Sequence, residues 1–190
     1  RYHLTDDLMA RVAYTETIRR PAFEQLNAYP SYQPGLTDVG YGTGTGGNPN
    51  LEPVESQNWD FALEWYFAPG SALIGGAFYK DITTFVFQQT RNFDLDGQTY
   101  RLTAPQNGGN AYVAGIEIAY QQLFRMLPAP FDGLGFQANY THTASKGTYA
   151  TSDGTTFRDD LTDVAADSFN LTAFYEKGPV GARASYSWRG

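Results

Sequence analysis

Residues 58–67 alternate strictly, with Trp59, Phe61, Leu63, Trp65 and Phe67 on one side and Asn58, Asp60, Ala62, Glu64 and Tyr66 on the other. Successive side chains of a strand point to opposite faces, so this segment reads as a strand with one apolar and one polar side. Five further segments repeat the pattern. Leu8, Ala10, Val12 and Tyr14 oppose Met9, Arg11, Ala13 and Thr15, and Tyr112, Ala114, Ile116, Ile118 and Tyr120 oppose Gly115, Glu117 and Ala119. Leu134, Phe136, Ala138 and Tyr140 oppose Gln137, Asn139 and Thr141, and Phe169, Leu171, Ala173 and Tyr175 form a fifth apolar row. Val180, Ala182, Ala184, Tyr186 and Trp188 oppose Arg183, Ser185, Ser187 and Arg189. A seventh segment, residues 72–87, is apolar on both faces, and the pattern does not assign its sides. Residues 1–4 read as the tail of a preceding strand.

The connections alternate in length. Residues 18–55, 88–110 and 144–166 are long and polar, whereas Ala68-Pro69-Gly70-Ser71, Leu127-Pro128-Ala129-Pro130 and Lys177-Gly178-Pro179 are brief. In an antiparallel meander alternate connections share one end, so every long loop lies at the same end. That rhythm predicts an all-β fold: an antiparallel up-and-down transmembrane β-barrel with long extracellular loops and short periplasmic turns, of which this chain supplies about seven consecutive strands. With the long loops upward, Tyr14, Trp59, Tyr112, Tyr140 and Trp188 fall near the upper rim, and Trp65, Phe67, Tyr120 and Tyr175 near the lower. Membrane interfaces collect aromatic residues in such belts. The polar faces carry Arg11, Asp60, Glu64, Glu117, Arg183 and Arg189. A basic residue at mid-membrane costs roughly 2–4 kcal/mol against lipid, so these charges are expected to face a lumen.

Composition agrees. Fourteen Tyr, thirteen Phe and three Trp in 190 residues, with 20 Gly, favour strands and turns over helices. No run of about 18 apolar residues occurs, which excludes a transmembrane helix but not a barrel, where only every second residue meets lipid. The net charge of −7, without a basic stripe, argues against nucleic-acid binding, and the absence of cysteine removes thiol catalysis and Cys-based metal sites.

Few residues suggest chemistry. Gly42-Thr43-Gly44-Thr45-Gly46-Gly47 satisfies the dinucleotide fingerprint, but Asn48-Pro49 and Pro53 leave no helix behind it, so a flexible loop is expected. Asp153, Asp159, Asp160, Asp163 and Asp167 form an acidic stretch, with Asp94 and Asp96 a smaller one. Neither has the spacing of a calcium loop, and solvated loops are expected with no metal. His142 has Ser145 nearby but no organised partner for a catalytic triad. Asp60 and Glu64 share a face about 13 Å apart, too far for glycoside hydrolysis. No enzyme and no cofactor is therefore expected. The aromatic residues of the long loops, Tyr29, Tyr32, Tyr41, Phe93, Tyr100 and Phe157, are the candidate ligand contacts, because exposed aromatic surface often marks binding. Packing of the loops on one another is an equal alternative.

Arg20-Pro21 after a rising strand, Gly47-Asn48-Pro49-Asn50-Leu51-Glu52-Pro53 closing the loop, Glu64 on the descending strand, Phe78-Tyr79-Lys80-Asp81-Ile82, Gly115-Ile116-Glu117 and Asn139-Tyr140-Thr141 follow in order. Together they resemble the C-terminal half of the barrel of TonB-dependent outer-membrane receptors. The resemblance implies a 22-stranded barrel with a plug domain, of which residues 1–190 are a partial wall without plug, TonB box or terminal strand. It implies active transport of a scarce nutrient (a ferric siderophore, glycan or vitamin complex) in the outer membrane of a Gram-negative bacterium. Partners would then be outer-membrane lipid, the TonB complex reached through the plug, and a small-molecule or glycan ligand. A soluble all-β carbohydrate-binding or adhesion module, and more weakly a passive porin-type channel, are the alternatives. A soluble sandwich would bury Trp59, Phe61, Leu63 and Ile118 against a second sheet.

Overall fold

The computed structural model describes residues 1–35, 40–151 and 153–190. Eight strands form one antiparallel wall in the order β1 (Tyr2–His3), β2 (Leu8–Arg19), β5 (Val54–Ala68), β6 (Ser71–Ile82), β9 (Ala111–Leu123), β10 (Leu134–Ala150), β12 (Asp167–Lys177) and β13 (Val180–Arg189). The long connections hold β3 (Ser31–Gln33), β4 (Gly42–Thr45), β7 (Val86–Leu95), β8 (Gln98–Asn107) and β11 (Thr156–Asp159). The wall is an open, up-and-down meander of the expected seven long strands plus the short tail of another.

Register turns six separate patterns into one surface. Leu8, Ala10, Val12 and Tyr14 lie opposite Trp65, Leu63, Phe61 and Trp59. The rows continue through Leu73, Gly75, Ala77 and Tyr79 of β6 to Tyr120, Ile118, Ile116 and Ala114 of β9. They run on through Ala138 and Tyr140 to Leu171 and Phe169, and end on Tyr186 and Trp188. Directly opposed residues share a face, so every predicted apolar row joins a single apolar face. The same pairing assigns β6: its odd-numbered residues belong to that face, and Ile74, Gly76, Phe78 and Lys80 to the polar one.

Burial is inverted relative to a water-soluble sheet. Phe61 and Trp65 are each 49% exposed and Ile116 48%, whereas Glu64, on the polar face, is only 7% exposed. Curvature explains this, because the polar face is concave and crowds its side chains. The glycines record the difference. A Cβ on Gly75, on the apolar face, would meet nothing within 4 Å, while one on Gly115 would come 2.5 Å from the ring of its opposed partner Phe78. A Cβ on Gly135 would likewise overlap the ring of its own partner, Phe174. The rings of Phe78 and Phe174 thus occupy slots left by glycine across the ladder. No large side chain among the described residues is fully buried, so the wall has no central core.

Two aromatic bands cross the convex face. The upper one links Tyr14 to Trp59 (ring centroids 5.4 Å), Trp59 to Tyr79 (5.8 Å) and Tyr79 to Tyr112 (6.1 Å), and Phe169 stacks on Trp188 (5.6 Å) farther along. The lower one links Trp65 to Phe67 (5.2 Å), Phe67 to Tyr120 (6.1 Å) and Tyr120 to Phe136 (6.4 Å). Trp59 and Phe67 are eight residues apart on one strand, roughly 26 Å, or about 20 Å of height at the strand tilt typical of such barrels.

The third strand and the long connections differ from expectation. The segment 72–87 leaves the wall after Ile82, and β7 opens a second sheet at Val86. That sheet has the order β3-β4-β8-β7 and joins the first long connection to the second through a parallel pairing of β4 with β8. β10 continues to Ala150 and folds back on β11, so the third connection is largely a hairpin extension of the wall. Among the described residues the loops are therefore mainly strands, and Asp96-Gly97 is why one of them folds so. Both residues have positive φ (51° and 80°), the two-residue turn that matches strand twist, and it sets Phe93 opposite Tyr100.

Candidate ligand-binding surface

All five charged candidates of the wall (Arg11, Asp60, Glu64, Glu117 and Arg183) lie on the polar, concave face by register. Arg11, Asp60 and Glu117 line one hollow of about 470 Å³ together with Lys80, Asn58 and Asn139. The Arg11 guanidinium is 3.8 Å from the Glu64 carboxylate, which also accepts the Tyr66 hydroxyl at 2.7 Å. Arg183 is far from this hollow, on the last strand. It lies 5.6 Å from the Phe174 ring centroid and 3.7 Å from Glu176, covering the aromatic that fills the Gly135 slot. The hollow thus balances two basic against two acidic groups.

The loop aromatics divide into groups. Tyr32 stacks on Phe93 at 6.0 Å and meets Tyr100 edge-on at 5.1 Å. Tyr100 is buried, and the glycine-rich stretch makes room for it: a Cβ on Gly42 would lie 2.5 Å from the Tyr100 ring, and one on Gly44 2.9 Å from the Tyr32 ring. Residues 42–45 are accordingly a strand instead of the expected flexible loop. Their glycines serve aromatic packing, and no helix follows to hold a phosphate. Tyr41 accepts a long hydrogen bond from Arg101 (3.4 Å), whose guanidinium also sits 5.3 Å from its ring. Phe157 stacks on Tyr149 at 5.3 Å, and Phe85 and Phe87 pack edge-on against Tyr149, tying the third hairpin to the second sheet. Tyr29 stands apart and is highly exposed.

The Gly47-Asn48-Pro49-Asn50-Leu51-Glu52-Pro53 motif is a clamp. The Gly47 and Asn48 amides donate to the Asn27 carbonyl (3.1 Å) and the Gln25 carbonyl (2.7 Å), so close that a Cβ on Gly47 would strike that backbone. The Asn48 side chain accepts the Asn50 amide at 3.0 Å and donates to Gln106 at 3.3 Å. Glu52 N–H donates to Asn107 Oδ1 (3.0 Å), while Asn107 Nδ2 returns a bond to the Glu52 carbonyl (3.4 Å). With the β4–β8 ladder these bonds fix the first two long connections to each other.

A pocket of about 610 Å³ opens between this clamp and one face of the second sheet, lined by Tyr32, Phe93, Arg91, Leu102, Gln106 and neighbouring backbone. Arg91 and Gln106 were not expected from the sequence. The signal that places them is the Asp96-Gly97 turn, because once β7 and β8 are paired, period two puts Arg91 and Phe93 beside Leu102 and Tyr100.

Two acidic features have structural work. Asp153 accepts hydrogen bonds from the Thr151 hydroxyl and from the Thr155 amide and hydroxyl, and these hold its carboxyl down to about 2. A hydrogen bond to Asp160, 2.9 Å away, raises the Lys146 ammonium. Among the described residues no three His, Asp or Glu side chains converge as a metal site. His142 does have an organised partner, contrary to expectation. Its Nδ1 is 2.8 Å from Asp167, which also accepts the Tyr140 hydroxyl at 2.6 Å. Ser145, however, is an odd number of residues away on the same strand, so it points to the other face, where it accepts the Leu161 amide. Among the described residues no serine or threonine hydroxyl is hydrogen-bonded to the imidazole.

An antiparallel meander with an apolar convex face, two aromatic bands and a charged concave face is the wall of a β-barrel of the outer-membrane type. The chain belongs to the family described as TonB dependent receptor-like, beta-barrel, whose model matches residues 1–190. A search of curated proteins gives no match. Among solved structures it resembles a mutant ferric enterobactin receptor (PfeA) of Pseudomonas aeruginosa, with TM-score 0.67 and 20% identity over 100% of this chain and 26% of that one. A second mutant of that receptor, in complex with enterobactin, gives TM-score 0.68 and 19% identity over 100% and 27%. The siderophore receptor PirA from Pseudomonas aeruginosa gives 0.58 and 17% over 97% and 36%. The chain thus spans about a quarter to a third of the length of these receptors.

Proposed function

We propose that this chain is part of the wall and ligand-facing loops of an outer-membrane receptor that imports a scarce nutrient. The cargo class is a ferric siderophore, glycan or vitamin complex, taken up with energy relayed through TonB. One observation carries the reading: a continuous convex face exposing Phe61, Leu63, Ile116 and Ile118 between two aromatic bands, backed by a charged concave face. Water would not tolerate such a face, whereas hydrocarbon requires it. A sandwich would cover these residues with a second sheet. The polar hollow would face the barrel lumen and the plug of the whole receptor, and the aromatic loop block would face the ligand outside. Lipid is the partner of the convex face.

The test uses the full-length protein. It should fractionate with the outer membrane, run with heat-modifiable mobility, and support nutrient uptake that is lost when TonB is deleted. A soluble periplasmic distribution would overturn the reading.

A further inference from the structure

The loop pocket specifies more than a location. Resting on the receptor reading above, we propose that it accepts an uncharged or at most singly anionic ligand with an exposed ring face, such as a neutral ferric chelate or a sugar. A polyanionic chelate would be excluded. Three observations converge on this. First, the stacked rings of Tyr32 and Phe93, only 14° from parallel, contribute to the lining, and Phe93 stays 37% exposed, so a planar or pyranose face can cover it. Second, Arg91 is the single charged group among the described lining residues, and it has no ion-pair partner among the described residues. One guanidinium can neutralise one negative charge. The remaining polar side-chain function is carboxamide and the Tyr32 phenol, and Gln106 keeps its amide nitrogen free of protein partners among the described residues while its oxygen accepts from Asn48. Such groups suit hydroxyl and carbonyl oxygens without demanding charge.

Third, the long connections as a whole carry an excess of negative charge. The three long connections (residues 18–55, 88–110 and 144–166) hold six basic and ten acidic residues, a net charge of −4. A ligand of three negative charges would approach through an unfavourable field and find one cation waiting. The pocket's volume of about 610 Å³ is that of a small-molecule site.

The experiment measures binding to full-length receptor in detergent. The probes are a neutral tris-hydroxamate ferric chelate, a triply negative tris-catecholate ferric chelate, and a neutral maltohexaose. The neutral chelate or the oligosaccharide should bind, and which of them does decides between the two sources of a ring face. Phe93→Ala should weaken that probe about tenfold, whereas Asn92→Ala, on the opposite face of the same strand, should leave it unchanged. Heat-modifiable mobility verifies that each variant is folded, and Phe93→Leu replaces Phe93→Ala if the latter is not. Binding of the tris-catecholate alone, binding of none of the probes, or neutral binding indifferent to both Phe93 variants overturns the proposal. TonB-dependent uptake of the tris-catecholate would do so while leaving the transport reading intact, and the two failures are thereby distinguished.

Discussion

Two wall glycines, Gly75 on β6 and Gly135 on β10, sit on opposite faces, and alanine should act on them with opposite sign. At Gly135 an added Cβ would overlap the Phe174 ring, which lies across it in the ladder and is 8% exposed. Neighbouring strands cannot move apart without losing their hydrogen bonds, so the ring must swing off the slot. If Phe174 loses half of the 150–250 Å² a phenylalanine typically buries, about 100 Å² returns to water at about 25 cal/mol per Å², a cost of about 2.5 kcal/mol. Alanine recovers roughly 0.5–1 kcal/mol of glycine's entropic penalty in a strand. Gly135→Ala should therefore destabilise by about 2 kcal/mol. Gly75→Ala meets nothing within 4 Å and should stabilise by about 0.5–1 kcal/mol.

The assay is urea unfolding of full-length receptor in lipid vesicles, followed by tryptophan fluorescence and by heat-modifiable mobility. The midpoint should fall for Gly135→Ala and rise slightly for Gly75→Ala. Equal shifts for the two variants would refute the inference that the Gly135 face is concave and aromatic-filled while the Gly75 face is open. A neutral Gly135→Ala would refute the slot alone.

Three further outcomes follow from the same geometry. Phe61→Arg, midway between the aromatic bands, should cost roughly 2–4 kcal/mol in vesicle unfolding, and Asn139→Arg on the concave face within about 0.5 kcal/mol; equal effects would contradict the lipid assignment. Hydrogen bonds from Thr151 and Thr155 hold the Asp153 carboxyl down to about 2, below its ordinary value of 3.8. Its support for the Thr151 and Thr155 contacts should be complete above about pH 4 and lost as pH falls through about 2. Carboxyl NMR should show that midpoint, and Thr151→Val should move it upward. Asn107→Ala removes the two bonds to Glu52 that join the first two long connections, along with one to Thr84. It should raise amide exchange at Glu52 several-fold, since a hydrogen bond of this kind contributes about 0.5–1.5 kcal/mol, with no change at Phe61.

The apolar rows at Leu8–Tyr14, Trp59–Phe67, Tyr112–Tyr120 and Phe169–Tyr175 were legible because a strand facing two different media must alternate with period two. Loop rhythm and rim aromatics were legible for the same reason, since a membrane imposes its thickness on each strand locally. The faces of β6 were not. Ile74 and Phe78 look as apolar as Leu73 and Tyr79, and only pairing with Glu64, Asp60 and Gly115 shows that they fill slots on the polar side. Likewise His142 gained its carboxylate from Asp167, 25 residues away, through the β10–β12 register.

The candidate ligand surface was the least legible part. Tyr32, Phe93 and Tyr100 were visible as loop aromatics, yet their meeting depends on a parallel pairing between two different connections, which no local pattern encodes. Sequence alone determined which side of six of the seven long strands is the apolar one, because solvent acts on one residue at a time. The tertiary structure decided which strands adjoin, which glycines receive rings and which loops lock together, because those outcomes depend on partners distant in the chain.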